Sequence, residues 1–215
     1  MFELVGDKEN KPFMERYMRN QFSFLGLKTP ARKRQSKALI QASKRLPLND
    51  VLAEIEALYR RDNREYQYVA IDMAYANVTR LRMVEIEKLS AYIQIKSWWD
   101  TVDTWRKVFG KYVSLHPTEK GKVFDLFYRH PNFWMRRVAI TLQLLEKETL
   151  DKKLLAQAID YDSQTDEFFI QKAIGWALRN YSKYDPEWVK TFIAQRSLSK
   201  LAVREGAKII NKLTL

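Results

Sequence analysis

A repeat of about 34 residues is the feature that most constrains the fold of this chain. Candidate N-cap residues, each followed by a helix start that is mostly rich in aromatic residues, are spaced by 34, 35, 34 and 33 positions; they are Asn63, Ser97, Asn132, Asp166 and Ser199. Second helical segments lie between them, at roughly residues 80–95, 117–130, 149–160 and 185–196. Such a period predicts stacked helical hairpins, that is, an all-α fold built as an α-solenoid.

The type of repeat is closer to the HEAT class than to the tetratricopeptide class. The Trp-Leu-Gly-Tyr signature of tetratricopeptide repeats is absent, whereas HEAT-like repeats tolerate loose sequence. We therefore expect one HEAT-like-repeat domain over residues 1–215, with N-terminal helices in residues 1–46 and repeats in residues 47–215. Solenoids of this kind usually bind their partner on a concave surface and are often monomeric, as we expect here.

The start of the chain follows a different pattern. Residues Lys11 to Leu25 predict one helix that carries Arg16 and Tyr17. Gly26 is a plausible residue to follow that helix, and Pro30 is a natural first residue of the next. The next helix, ARKRQSKALIQASKR, is very basic and ends before Pro47.

Composition restricts the possible function. Thirty-eight Lys and Arg residues against 26 Asp and Glu give a net charge of +12, which attracts polyanions such as nucleic acids. The absence of cysteine excludes disulfides, thiolate metal sites and a cysteine nucleophile. His116 and His130 are too far apart to suggest a metal site, and each precedes a proline at an expected helix end. No apolar run is long enough to span a bilayer, so we expect a soluble, cytoplasmic protein.

Two tryptophans and a carboxylate are candidates for a shared site. Trp99 and Asp103 are four residues apart, so they are neighbours on one helix. If the repeated helices align by their caps, Trp99, Asp103 and Trp176 all fall within one sector of about 80°, at roughly 100° per residue. The alternative is that Trp99 packs in the core and that Asp103 caps a helix or pairs with a neighbouring Lys or Arg.

Basic residues recur near the starts of successive repeated helices. This recurrence favours a continuous positive track over scattered surface charges; the residues are Arg136, Arg137, Lys172, Arg179 and Arg204. Arg32, Lys33 and Arg34 crowd the helix after Pro30 in the same way. The alternative for each is a solvated surface charge.

The candidate residues suit one reaction in particular. We find no glycine-rich phosphate loop, Ser-His-Asp arrangement or metal-ligand cluster, so any chemistry runs on carboxylates, aromatics and bases, without a cofactor. Cleavage of an N-glycosidic bond is compatible with this when the leaving base is already cationic, because the base then departs neutral. A carboxylate stabilises the developing sugar cation and orients water, and aromatic faces attract both cations.

Four segments of the sequence resemble the DNA alkylation repair family, the HEAT-like-repeat alkylpurine DNA glycosylases of the AlkD type. The resemblance extends over residues 14 to about 207, and the segments that carry it are MERYMRN (14–20) with FLGLKTP (24–30), KSWWDTVD (96–103), WMRRVAI (134–140) and EFFIQKAIGWALR (167–179). The strings SWWDTVD and FFIQKAIGWALR are specific, whereas the basic helices alone are not.

The resemblance implies a right-handed solenoid that holds duplex DNA and excises cationic lesions such as 3-methyladenine and 7-methylguanine without base flipping. Asp103 matches the family's catalytic Asp, and Trp99 and Trp176 match its aromatic contacts to the lesion-bearing sugar. The implied DNA contacts are Tyr17 in the minor groove and Thr29, Lys33, Arg137 and Arg179 near the backbone. A role in base excision repair at the bacterial nucleoid follows.

Other functions stay open at this point. The family usually has a further helix before the segment that holds Tyr17, whereas only 16 residues precede Tyr17 here. The main alternative is therefore a catalytically weak or inactive paralogue that acts as a DNA-binding solenoid. A third hypothesis is an interaction solenoid that binds RNA or an acidic peptide; the pairing of SWWDTVD with GWALR favours the glycosylase.

Overall fold

A computed structural model describes residues 2–213 of the chain. No strand occurs among the described residues, which confirms the predicted all-α fold class. The α-helices are α1 (Lys11–Tyr17), α2 (Thr29–Ser43), α3 (Leu48–Arg60), α4 (Arg64–Ala76), α5 (Met83–Ser90), α6 (Trp99–Leu115), α7 (Lys120–Asp125), α8 (Phe133–Thr141), α9 (Lys152–Asp162), α10 (Phe168–Tyr181), α11 (Pro186–Ala194), α12 (Lys200–Gly206) and α13 (Ile210–Leu213). Short 3₁₀ turns occupy Val78–Arg80, Ala91–Gln94 and Pro117–Glu119.

Contacts divide the chain into two compact units, one ending at Leu81 and the other beginning at Arg82. The division falls inside the stretch predicted to hold the repeats, so the single domain stays a prediction. Among the described residues, no helix has the length and apolar character needed to cross a membrane.

The repeated helices begin close to the predicted positions. Asn63, Asn132 and Ser199 are the N-caps of α4, α8 and α12, as predicted. The caps of α6 and α10 are Trp98 and Glu167, one residue later than predicted. The Ser97 hydroxyl donates instead to the main-chain oxygen of Ile93, and the Glu167 carboxylate accepts from the N–H of Phe169.

In the second unit, the repeated helices lie side by side. Helix α6 packs against α8, α8 against α10, and α10 against α12. The intervening helices α7, α9 and α11 pack against α6, α8 and α10, respectively. This is the arrangement that stacked helical hairpins produce. Fully buried Trp105 anchors α6, because its ring stacks on Tyr92 and Phe109 at centroid distances of 5.5 and 6.1 Å.

In the first unit, the predicted helix from Lys11 to Leu25 is wrong: α1 ends at Tyr17. Arg19 and Asn20 adopt positive φ angles, which stop the helix. The extended chain that follows is held by the fully buried carboxylate of Glu65, which accepts the N–H groups of residues 25–27 at 2.9 Å each. Gly26 therefore lies in this extended segment at φ +90°, and it does not follow a helix end.

Candidate active site and nucleic-acid interface

A row of aromatic residues joins the starts of three repeated helices. The ring centroids of Trp98 and Phe169 are 5.1 Å apart, those of Trp134 and Phe169 are 4.9 Å apart, and those of Trp98 and Trp134 are 5.9 Å apart. These contacts hold the N-terminal ends of α6, α8 and α10 together. Side chains on the first turns of the three helices therefore have fixed relative positions.

Asp103 is held by a bidentate ion pair across α6 and α8. Nε and Nη2 of Arg137 donate to its two carboxylate oxygens at 2.9 and 2.8 Å. Nη1 of Arg137 donates to the main-chain oxygen of Phe169, so a single guanidinium links α6, α8 and α10. The Arg137 side chain is 6% exposed, whereas that of Asp103 is 19% exposed. The carboxylate thus keeps access to solvent while its partner is enclosed.

Trp99 is the first residue of α6, and Trp176 lies in the middle of α10. Both side chains are half-buried. Arg106 lies three residues after Asp103 on α6, and its Cζ is 5.7 Å from the centroid of the Trp176 ring. Arg106 is 3% exposed. Trp176 of α10 therefore lies next to Arg106, which is about one turn after Asp103 on α6.

A second charged cluster joins α10 to α12. The carboxylate of Glu205 accepts from Arg179 and Lys208 at 2.7 Å and pairs with Lys172 at 3.1 Å. The hydrogen bond from Lys208, together with Lys172, lowers the pKa of Glu205 to about 2. One buried carboxylate thus holds three cations, and two of these belong to the predicted positive track.

The other basic candidates of this unit have different surroundings. Arg204 is exposed and forms no hydrogen bond or ion pair with any residue in the range 2–213. Arg136 is largely buried and donates to both carboxylate oxygens of Asp162 at 3.0 and 3.1 Å. Burial raises the pKa of Asp162, and the ion pair with Arg136 opposes this effect.

The candidates in the first unit lie on α1 and α2. Tyr17 ends α1 and is 70% exposed, and Thr29 and Lys33 are exposed on the first turns of α2. Arg32 is neither an exposed member of a positive track nor a solvated surface charge, because it is 6% exposed, pairs with Asp72 at 3.3 Å and lies over the ring of Tyr68. Burial lowers the pKa of Arg32.

Two residues of these clusters escaped the sequence analysis. Arg106 had a usable signal, since its spacing of three residues from Asp103 places it on the same helix face. Glu205 had only the i,i+3 spacing to Lys208 as a signal, because its partners on α10, Lys172 and Arg179, lie about 30 residues away in the sequence. No group of His, Asp and Glu side chains suited to a metal ion occurs among the described residues.

Comparison with known proteins identifies the family. The profile of the DNA alkylation repair enzyme family matches residues 1–210. This chain belongs to the DNA alkylation repair enzyme family. It is similar to a solved structure from Enterococcus faecalis described as a predicted DNA alkylation repair enzyme, with 48% identity and a TM-score of 0.97 over 99% of this chain and 100% of that one. A search of curated proteins found no match. The family assignment makes DNA the expected substrate of this protein.

Proposed function

We propose that this member of the DNA alkylation repair family is a DNA glycosylase that hydrolyses the N-glycosidic bond of cationic alkylated purines in duplex DNA. 3-Methyladenine and 7-methylguanine are the expected lesions, removed without base flipping as part of base excision repair. The observation that carries the proposal is the Asp103 carboxylate, fixed by Arg137 and still partly open to solvent beside Trp99.

The geometry of Asp103 suits the stabilisation of a sugar cation. Each carboxylate oxygen accepts one N–H from Arg137, which leaves a lone pair on each oxygen for a further contact. The bidentate pair fixes the orientation of the carboxylate before substrate arrives, so no reorganisation is needed during the reaction. Arg137 is thus a positioning residue for Asp103 in addition to its predicted place near the DNA backbone.

The proposed reaction balances without a cofactor. The bond between C1′ and the purine nitrogen breaks, and its electron pair neutralises the cationic base. Asp103 stabilises the positive charge that develops on the deoxyribose, and it orients a water whose oxygen attacks C1′ and whose proton passes to the carboxylate or to solvent. The rings of Trp99 and Trp176 stabilise the cationic base and sugar through cation–π contacts.

We propose that the protein binds DNA as a monomer at the bacterial nucleoid and that the remaining candidate residues contact the DNA. Tyr17 would approach the minor groove, and Thr29, Lys33 and Arg204 would contact phosphates from exposed positions. Lys172 and Arg179 are presented to the backbone by Glu205, which fixes both side chains.

The test is base excision from a duplex that carries a single 7-methylguanine, followed by alkali to break the strand at the abasic site. We expect Asp103→Asn to lower the excision rate about 100-fold or more, because a fixed charge at the developing cation is lost. The matched control is Asp125→Asn, an exposed carboxyl on α7, which should excise like the wild type.

Three results would count against the proposal. Equal excision by wild type and Asp103→Asn would remove Asp103 from the mechanism. No excision by any variant, with salt-sensitive duplex binding retained, would favour the non-catalytic DNA-binding paralogue. Tighter binding to RNA or to an acidic peptide than to duplex DNA would favour an interaction solenoid.

A further inference from the structure

An arginine and two tyrosines form a cluster that includes none of the partners of Asp103. Tyr128 and Arg129 lie in the loop that precedes α8, and Tyr161 lies on α9. The Cζ of Arg129 lies 5.0 Å from the ring centroid of Tyr128 and 5.6 Å from that of Tyr161. The two tyrosine rings meet edge to face at 5.8 Å. Arg129 is exposed and Tyr161 is 48% exposed, so the cluster is open to solvent.

The hydrogen-bond donors of Arg129 are all available. Arg129 forms no hydrogen bond or ion pair with any other residue in the range 2–213. By contrast, Arg61 and Arg196 also lie over aromatic rings but pair with Glu3 and Asp160, respectively. The guanidinium of Arg129 is therefore oriented by rings, while its N–H groups point to no acceptor within the described chain.

The loop that carries Arg129 is rigidly fastened. Arg136 donates from Nη1 to the main-chain oxygens of His130 and Pro131 at 2.8 and 2.9 Å. The N–H of Asn132 donates to Nδ1 of His130 at 3.0 Å. Arg129 itself adopts φ +57°, which is uncommon for a residue other than glycine. The surrounding bonds hold the main chain next to Arg129, and the rings of Tyr128 and Tyr161 orient its guanidinium before any partner binds.

The charge balance of the cluster points to an anionic partner. Asp162 neutralises Arg136, which also lies 5.9 Å from the centroid of Tyr161, so Arg129 supplies the uncompensated positive charge. A planar guanidinium with free in-plane donors matches the geometry of a phosphate, which it binds through two parallel hydrogen bonds. Contact with two ring faces fixes the guanidinium but leaves its donors free.

We propose that the Tyr128–Arg129–Tyr161 cluster is a pre-organised anchor for a backbone phosphate of duplex DNA. This inference rests on the DNA binding that the proposed function requires, and it is independent of the excision chemistry. The loop leads directly into α8, whose Arg137 holds Asp103. A phosphate held by Arg129 would thus help to set the register of the duplex relative to Asp103.

The test measures binding of a fluorescein-labelled, undamaged duplex by anisotropy over a range of salt concentrations, with four variants. Arg129→Gln should reduce the slope of log K against log salt by about one and weaken binding about eightfold in 0.1 M salt, as loss of one phosphate contact predicts. Arg60→Gln removes the same charge from an exposed site on α3 and should change the slope far less. Tyr161→Leu should weaken binding with the charge retained, and Arg129→Lys should recover only part of the affinity.

The outcomes separate this inference from the proposed glycosylase. Equal slopes for wild type and Arg129→Gln, or equal losses in Arg129→Gln and Arg60→Gln, would overturn the anchor. Retained wild-type affinity in Tyr161→Leu would show that the rings do not orient the guanidinium. Because the duplex is undamaged, each result stands whether or not the wild type excises 7-methylguanine.

Discussion

At the scale of single residues, Arg106 is the side chain whose place next to the candidate site most needs an explanation. A guanidinium that is 3% exposed is costly to bury and requires compensating contacts. One of these is the ring of Trp176, 5.7 Å from its Cζ, and Asp103 lies three residues away on the same helix. Arg106 thus lies against one side of Trp176, and we infer that it fixes the plane of that ring for the cationic substrate.

A double-mutant cycle tests this positioning role. Arg106→Gln should slow excision of 7-methylguanine by about 2- to 30-fold, the range of a desolvated cation–π contact of about 0.5–2 kcal/mol. The same change should have little further effect in a Trp176→Ala background, because Arg106 acts through that ring. Arg106→Lys should restore part of the rate.

A readout without DNA complements the cycle. The indole N–H resonance of Trp176, assigned with Trp176→Phe, should shift or broaden in Arg106→Gln, whereas those of Trp134 and Trp188 should not move. Full additivity of the two substitutions, or an unchanged Trp176 resonance, would argue that Arg106 serves only the stability of the fold.

At the scale of helices, Gly175 determines how closely α10 and α12 approach. A Cβ at Gly175 would overlap the Cβ of Glu205 and lie 3.1 Å from the main-chain oxygen of Ala202. Glu205 is also the residue that holds Lys172 and Arg179. The absence of a side chain at position 175 therefore allows α12, which carries Glu205, to lie close to α10, which carries Lys172, Trp176 and Arg179.

Replacement of Gly175 by alanine should lower the free energy of unfolding by about 1–3 kcal/mol, because α12 must move away from α10. Gly121→Ala on α7 is the control, since a Cβ there has nothing within 4 Å. That variant should stabilise the protein by about 0.5–1 kcal/mol, the helix preference of alanine over glycine. Urea denaturation measures both; equal stability of the two variants would contradict the close-approach argument.

The helix starts also show how much of the structure can be predicted from the sequence alone. The caps of α6 and α10 were each predicted one residue early, because Ser97 bonds back to Ile93 and Glu167 replaces Asp166 as the capping side chain. Since both errors have the same sign, the relative rotation of Trp99, Asp103 and Trp176 is unaffected. The repeat period therefore predicts the same relative rotation of the three residues, and Trp176 contacts Arg106, about one turn after Asp103 on α6.

Contacts between residues far apart in the sequence could not be predicted from helical periodicity. Helical periodicity predicts a first helix that continues to Leu25, but the chain leaves the helix after Tyr17, where Arg19 and Asn20 adopt positive φ angles. Buried Glu65, about 40 residues later in the sequence, binds the N–H groups of residues 25–27 and holds them outside a helix. The pairing of Arg137 with Asp103 corresponds to the alternative interpretation, in which Asp103 pairs with an unspecified Lys or Arg. Periodicity identifies the buried face of a helix, whereas the partner of a charged group depends on packing between helices.

At the scale of the whole molecule, carboxylates with lowered pKa values predominate among those that shift. Among residues 2–213, hydrogen bonds lower the pKa of five carboxyls: Glu3, Asp7, Glu85, Asp185 and Glu205. Burial raises the pKa of Asp162. A carboxyl with a lowered pKa stabilises the folded state above its unfolded pKa, and this contribution is lost as the pH falls through the folded pKa. Asp162 acts in the opposite direction, so the balance favours loss of stability in acid.

We therefore expect the free energy of unfolding to fall as the pH is lowered from about 5 to about 2, with Glu205 titrating over the lower part of this range. Glu205→Gln should be less stable than the wild type at pH 7. Its free energy of unfolding should also depend less steeply on pH, by a slope that corresponds to at most one proton, because the contribution of Glu205 is already absent. Glu187→Gln, at an exposed carboxyl on α11 without an ion pair to any described residue, should keep the wild-type slope. Urea denaturation at a series of pH values measures the three slopes. Parallel curves for wild type and Glu205→Gln would mean that the three cations around Glu205 do not stabilise its ionised form.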